Sequence, residues 1–84
     1  MSKFKEMVEQ YIEKVKSEEP NCEYDIYEAI EDIIKTLPDY DRGYMSSQMS
    51  MYDVMGLPGK EIFYEMQEGM NAVLGRVGIE RDLP

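Results

Sequence analysis

The chain has 84 residues, 43% of them apolar and 32% charged, and its eighteen acids against nine bases give a net charge of −9. That length fits one domain with one modest core, and the apolar share argues against a wholly disordered chain. A single cysteine, Cys22, excludes an internal disulfide and points to a reducing cytosol, and no apolar run approaches the roughly 20 residues of a membrane span.

The first predicted element runs from about Ser2 to Ser17. Phe4, Val8, Tyr11, Ile12 and Val15 recur as one helix face. Ser2 is the expected N-cap. The opening "MSKFKEMVEQ" has no apolar h-region, so no signal peptide is expected.

The second element runs from about Glu23 to Leu37, with Ile26, Ile30, Ile33, Ile34 and Leu37 as its apolar stripe. Asn21 or Asp25 is placed to cap it, and Asp25 with Glu28 has the spacing of a capping box. Pro38 stops it. An extended reading of "CEYDIYEA" competes, but the isoleucine spacing favours helix.

The third element is expected to be short, from about Ser46 to Met55, carried by Met45, Met49, Tyr52 and Met55, with Gly56 suited to a left-handed C′ position. The fourth runs from about Gly59 to Gly75, with Ile62, Phe63, Met66, Met70, Val73, Leu74 and Val77 on one side and Gly69 at the edge of that face. The terminal "GIERDLP" reads as punctuation. No segment alternates convincingly with period two. The expected fold is therefore all-α: a single-domain bundle of about four helices, the third short and the packing irregular.

The residue inventory closes off most chemistry. There is no histidine, hence no ordinary general base near neutral pH and none of the commonest metal ligand. Cys22 lies among acids, which blunts a thiol as a nucleophile. "GLPGKE" lacks the spacing of a phosphate loop. Asp39, Asp41 and Gly43 begin like a calcium loop, but Gly43 and Tyr44 fill the fifth and sixth places and Ser50 the twelfth, where glutamate belongs. Carboxylate pairs such as Glu28 with Asp32, or Glu61 with Glu65, are ordinary solvated charges on an exposed helix. Neither a catalytic activity nor a metal or cofactor is expected.

The charge itself points outward. From Glu18 to Asp32 seven of fifteen residues are acids, and from Glu18 to Asp41 nine acids face one base, Lys35. On a helical wheel Glu28, Glu31 and Asp32 lie opposite the isoleucines, with Asp25 at the margin. Acids three or four residues apart are about 5–6 Å apart at Cβ and repel by a few tenths of a kcal/mol per pair. A sequence shaped by stability alone mixes the signs. Such a face resembles a nucleic-acid backbone, with regular negative charge and flat rings nearby. It repels nucleic acid and anionic membrane and is steered toward basic protein surfaces.

The expected partner-binding residues are Glu23, Asp25, Glu28, Glu31 and Asp32, with Asp39 and Asp41 extending the charge and Tyr24, Tyr27 and Tyr40 supplying contact area. The expected function is non-catalytic occlusion of a basic protein surface that binds nucleic acid. In size and charge alone this is analogous to the DNA mimics and anti-CRISPR proteins of phage and mobile elements. The alternative is a helical adaptor or homodimer using apolar contacts. The stretch "YMSSQMSMYDVM" suits it: Met51 falls off its neighbours' stripe, and Tyr64 points away from the apolar face of its segment.

Overall fold

Four helices account for nearly all of the computed structural model, which describes residues 2–82: α1 (Lys3–Glu18), α2 (Ile26–Lys35), α3 (Asp39–Val54) and α4 (Gly59–Asp82). The all-α bundle expected from the periodicities is the fold observed. The last two residues of "GIERDLP" lie outside the described residues.

Local chemistry sets most of the helix ends. The Ser2 hydroxyl accepts from the Lys5 amide at 3.1 Å, satisfying one of the orphan donors at the start of α1. Asn71 of α4 adds a long-range cap: its Oδ1 accepts from the Phe4 amide at 2.8 Å, and its Nδ2 donates to Ser2 Oγ at 3.0 Å. The Asp25 carboxylate accepts from the Glu28 amide at 3.1 Å and starts α2. The end of α3 is a Schellman motif. The Gly56 amide donates to Asp53 O at 3.0 Å and the Leu57 amide to Tyr52 O at 3.2 Å. Gly56 takes φ 84° there, a left-handed conformation that costs glycine nothing and a branched residue much.

Three boundaries differ from the sequence expectation. Helix α2 starts later, at Ile26, because Asp25 is its cap. Helix α3 is not short: it spans 16 residues and starts directly after Pro38, whose carbonyl accepts from the Arg42 amide at 2.8 Å. Asp39 and Asp41 in its first turn favour the helix dipole. Helix α4 continues through Gly75 to Asp82, for 24 residues in all. Val77 is buried in its late turns and Arg76 pairs with Glu80 at 2.9 Å one turn on, which offsets the weak helix preference of Gly75 and Gly78.

Helices α2 and α4 form the middle of the bundle. Both touch α1 on one side and α3 on the other, whereas no Cα atoms of α1 and α3 come within 8 Å of each other. The core gathers Phe4 and Val8 of α1, Ala29, Ile30, Ile33 and Ile34 of α2, Met45 and Met49 of α3, and Ile62, Phe63, Met66, Met70 and Leu74 of α4. Phe4 stacks on Phe63 with ring centroids 5.1 Å apart, a geometry that adds to the burial of both rings. The predicted stripes are the buried faces of the helices, except that Met55, expected on the α3 stripe, is exposed because it lies at the C-cap, past the last helical residue. Tyr11 and Tyr52 pack at the core margin, as their spacing implies. Close approach is built in at Gly59, where an added Cβ would stand 3.2 Å from both Tyr27 N and Tyr27 Cβ. That glycine lets the start of α4 rest on the first turn of α2.

Candidate protein-binding face

The solvent side of α2 carries the acid cluster, and the isoleucine stripe is what turns it outward. With Ile30, Ile33 and Ile34 buried against α4 and its neighbours, the 100° step leaves Glu28 and Glu31 exposed on the opposite side. Glu23 and Asp25, in the segment between α1 and α2, are exposed beside them. Asp25 has a second task as helix cap, which fixes its carboxylate at the first turn.

The remaining candidates are placed differently. Tyr24 is turned inward. It packs against the core, and its hydroxyl donates to Asp32 Oδ2 at 2.7 Å. Burial, then the bond to Asp32 and the neighbouring charges, pushes the Tyr24 hydroxyl well above its ordinary pKa. Asp32 is correspondingly half-buried, and its other oxygen lies 3.7 Å from Lys35 Nζ. This pair is an internal tie between the inter-helix segment and α2.

Tyr27 is half-buried and faces the groove between α2 and α3. Desolvation, then the carboxylates of Asp53 and Glu31, raises its hydroxyl pKa. The groove has a volume of about 300 Å³, with Glu31 and Asp53 as its carboxylates and Lys35 and Arg42 as its cations. Asp53 escapes a reading of the sequence because it lies far along the chain from α2. Only the packing of α3 on α2 brings it beside Tyr27.

Of Asp39, Tyr40 and Asp41, expected to extend the acidic face, Asp41 is turned inward, whereas Asp39 and Tyr40 are exposed in the first turn of α3. Asp39 is exposed, but Arg42 Nη2 lies 2.6 Å from its Oδ1, so its charge is locally offset. Asp41 is 7% exposed, the buried charged residue of the described chain, and Arg76 Nη2 meets its Oδ2 at 2.5 Å. Tyr40 is fully outside, yet on the far side of α3 from the groove-lining Ser46, Met49 and Asp53. All three follow from one cause: the segment after Pro38 is helix and not a turn, so its side chains fan around an axis.

The ion pairs of the described residues join Lys35 to Asp32, Arg42 to Asp39, and Arg76 to both Asp41 and Glu80. None of them involves Glu23, Asp25, Glu28 or Glu31. Among the described residues no three cysteine, aspartate or glutamate side chains converge as a metal-binding group, and no helix is long and apolar enough to cross a membrane. Compared with protein-family models, curated proteins and solved structures, the chain matches none.

Proposed function

We propose that the protein is a non-catalytic acidic binder that docks on a basic protein surface, of the kind that holds nucleic acid, and occludes it. One observation carries this reading: among the described residues Glu23, Asp25, Glu28 and Glu31 are exposed and belong to none of the ion pairs, whereas Asp32, Asp39, Asp41 and Glu80 are each paired with Lys35, Arg42 or Arg76. Uncompensated carboxylates at helical spacing cost a small amount of stability. They accelerate encounter with a cationic groove and make the complex salt-sensitive. The mechanism is competition: carboxylates take the lysines and arginines that otherwise hold phosphates. Inhibitors such as DNA mimics and anti-CRISPR proteins work in this way, and the analogy is one of size and charge.

The test uses the immobilised protein and its Glu28→Lys/Glu31→Lys variant, exposed in parallel to basic nucleic-acid-binding proteins and washed at rising salt. The expected result is retention by the wild type alone, released by salt and by competing DNA. Equal retention by the variant, or retention that survives high salt, overturns the reading. A second reading, an assembly module working through apolar contacts, is favoured by the exposed tyrosine and methionine side chains of α3.

A further inference from the structure

The groove between α2 and α3 is polarised along its length. Only Thr36, Leu37 and Pro38 join the two helices, so they run antiparallel. Lys35 and Arg42 therefore stand at the end beside this connection, and Tyr27 and Asp53 at the other, with Glu31 one turn in from Tyr27. Each cation is paired with an acid one turn earlier on its own helix: Lys35 Nζ lies 3.7 Å from Asp32 and Arg42 Nη2 2.6 Å from Asp39. The acid end has no such offset. Neither Glu31 nor Asp53 belongs to an ion pair among the described residues.

This end is more than a pair of carboxylates. Glu31 comes from α2 and Asp53 from α3, and both lie close enough to the Tyr27 hydroxyl to raise its pKa. That hydroxyl donates to Asp53, which fills one of a carboxylate's roughly four acceptor positions and leaves the others open. The Tyr27 ring forms a wall of the groove, and Ile34 and Met49 give it an apolar lining. The ring stands on a fixed base, because Gly59 brings the start of α4 against the Tyr27 backbone. The space of about 300 Å³ suits one long side chain.

We infer that this end of the groove receives an arginine side chain of the protein partner, with the guanidinium shared by Glu31 and Asp53 beside the Tyr27 ring and the methylene stem on Met49 and Ile34. The inference rests on the reading of the protein as an acidic binder and names the residue that it captures. Charge complementarity selects a cation, since the acid end is the uncompensated one. Continuity selects a protein side chain, because Glu31 belongs both to the exposed acidic face and to the groove. The chemistry of the walls selects arginine over lysine. A guanidinium is a planar fork that serves two carboxylates at once and stacks on an aromatic ring, whereas an ammonium is a compact, strongly hydrated charge. Arginine is also a residue that grips phosphates bidentately, so its capture removes a nucleic-acid contact directly.

The experiment titrates the full chain at low salt with hexa-arginine and with hexa-lysine, peptides of equal charge, followed by calorimetry and by amide NMR shifts. The expected result is tighter binding of hexa-arginine, with large shifts at Tyr27, Ser50 and Asp53. Asp53→Asn is expected to weaken hexa-arginine roughly fivefold and to erase its advantage over hexa-lysine. Glu13→Gln, an equal loss of charge on an exposed residue of α1, does neither. Circular dichroism checks that the variants are folded; the Asp53 group used by the end of α3 is its backbone carbonyl, which D53N retains. Equal affinity for the two peptides, or a D53N protein that behaves like E13Q, overturns the proposal. Glu28→Lys separates it from the acidic face. Binding lost in E28K and kept in D53N leaves the face standing and overturns the groove; an arginine preference kept in E28K and lost in D53N supports the groove and overturns the face. Failure of both peptides to bind overturns both.

Discussion

Arg76 of α4 holds Asp41 of α3 through a 2.5 Å contact between Nη2 and Oδ2, and with Nη1 it holds Glu80 one turn further on at 2.9 Å. A guanidinium is suited to this because its planar fork serves two carboxylates at once. Both hydrogen bonds keep Arg76 charged beyond its ordinary range. The bridge ties the first turn of α3 to the late turns of α4, the two stretches in which the sequence offers the weakest helix signals.

Removing one partner is expected to cost more than removing both. Arg76→Ala leaves the Asp41 carboxylate buried and unpaired, the costly case, so its melting temperature falls by several degrees. Asp41→Asn in the Arg76→Ala background recovers part of the loss. Arg76→Lys gives an intermediate result, because a single ammonium cannot bridge two acids in the same geometry. Thermal melts followed by circular dichroism check all three, and a double variant no more stable than Arg76→Ala overturns the assignment.

The Tyr24–Asp32 bond makes stability depend on alkaline pH. The folded state holds the Tyr24 proton where the unfolded chain releases it, since the folded pKa is raised above the ordinary 10.0. Its contribution is therefore whole below that value and declines as pH climbs past it. Tyr24→Phe is expected to cost about 1 kcal/mol at neutral pH, as a lost hydrogen bond. The gap between wild type and variant should then shrink in urea melts above about pH 10. A constant gap across that range would mean that the hydroxyl is not bonded.

Two glycines of α4 predict opposite effects of the same change. Gly75 has nothing within 4 Å of an added Cβ, so Gly75→Ala is expected to stabilise by about 0.5–1 kcal/mol through helix propensity and the unfolded state. At Gly59 the added methyl meets the backbone of Tyr27, which cannot rotate away. Gly59→Ala is expected to destabilise by about 1–3 kcal/mol, as overpacking does. Denaturant midpoints of the two variants check the signs.

Charge reversal on α2 separates binding from folding. Glu28 lies in the first turn of α2, where lysine opposes the helix dipole at a cost of about 0.3–1 kcal/mol. Glu31 lies further along, and reversing it relieves local repulsion. The Glu28→Lys/Glu31→Lys protein is therefore expected to keep its helical spectrum and melt within a few degrees of the wild type. A collapse of the fold would show that these carboxylates have structural partners.

The parts of the fold legible in the sequence are those set by neighbours a few residues away. Ser2 and Asp25 announce caps and Gly56 a left-handed residue, because the group each one serves is within one turn. The apolar stripes of α1, α2 and α4 are read from periodicity alone. The early turns of α3 escape that reading because their buried residue is an aspartate, whose burial depends on Arg76 thirty-five positions away. The acidic face is legible at Glu28 and Glu31, where the opposite stripe is unambiguous. Tyr24 and Asp53 are not, since a hydrogen bond eight residues long and a helix-to-helix contact decide where they point.

The absence of backbone contact between α1 and α3 has a use in engineering. The molecule is a shared wall, α2 and α4, with an independent panel on each side. Substitutions on the outward faces of the two panels have no common neighbour, so their effects on stability add. The outside of α3 can therefore be rewritten without re-optimising α1, and a fluorophore or tether can be attached to α1 without disturbing α3.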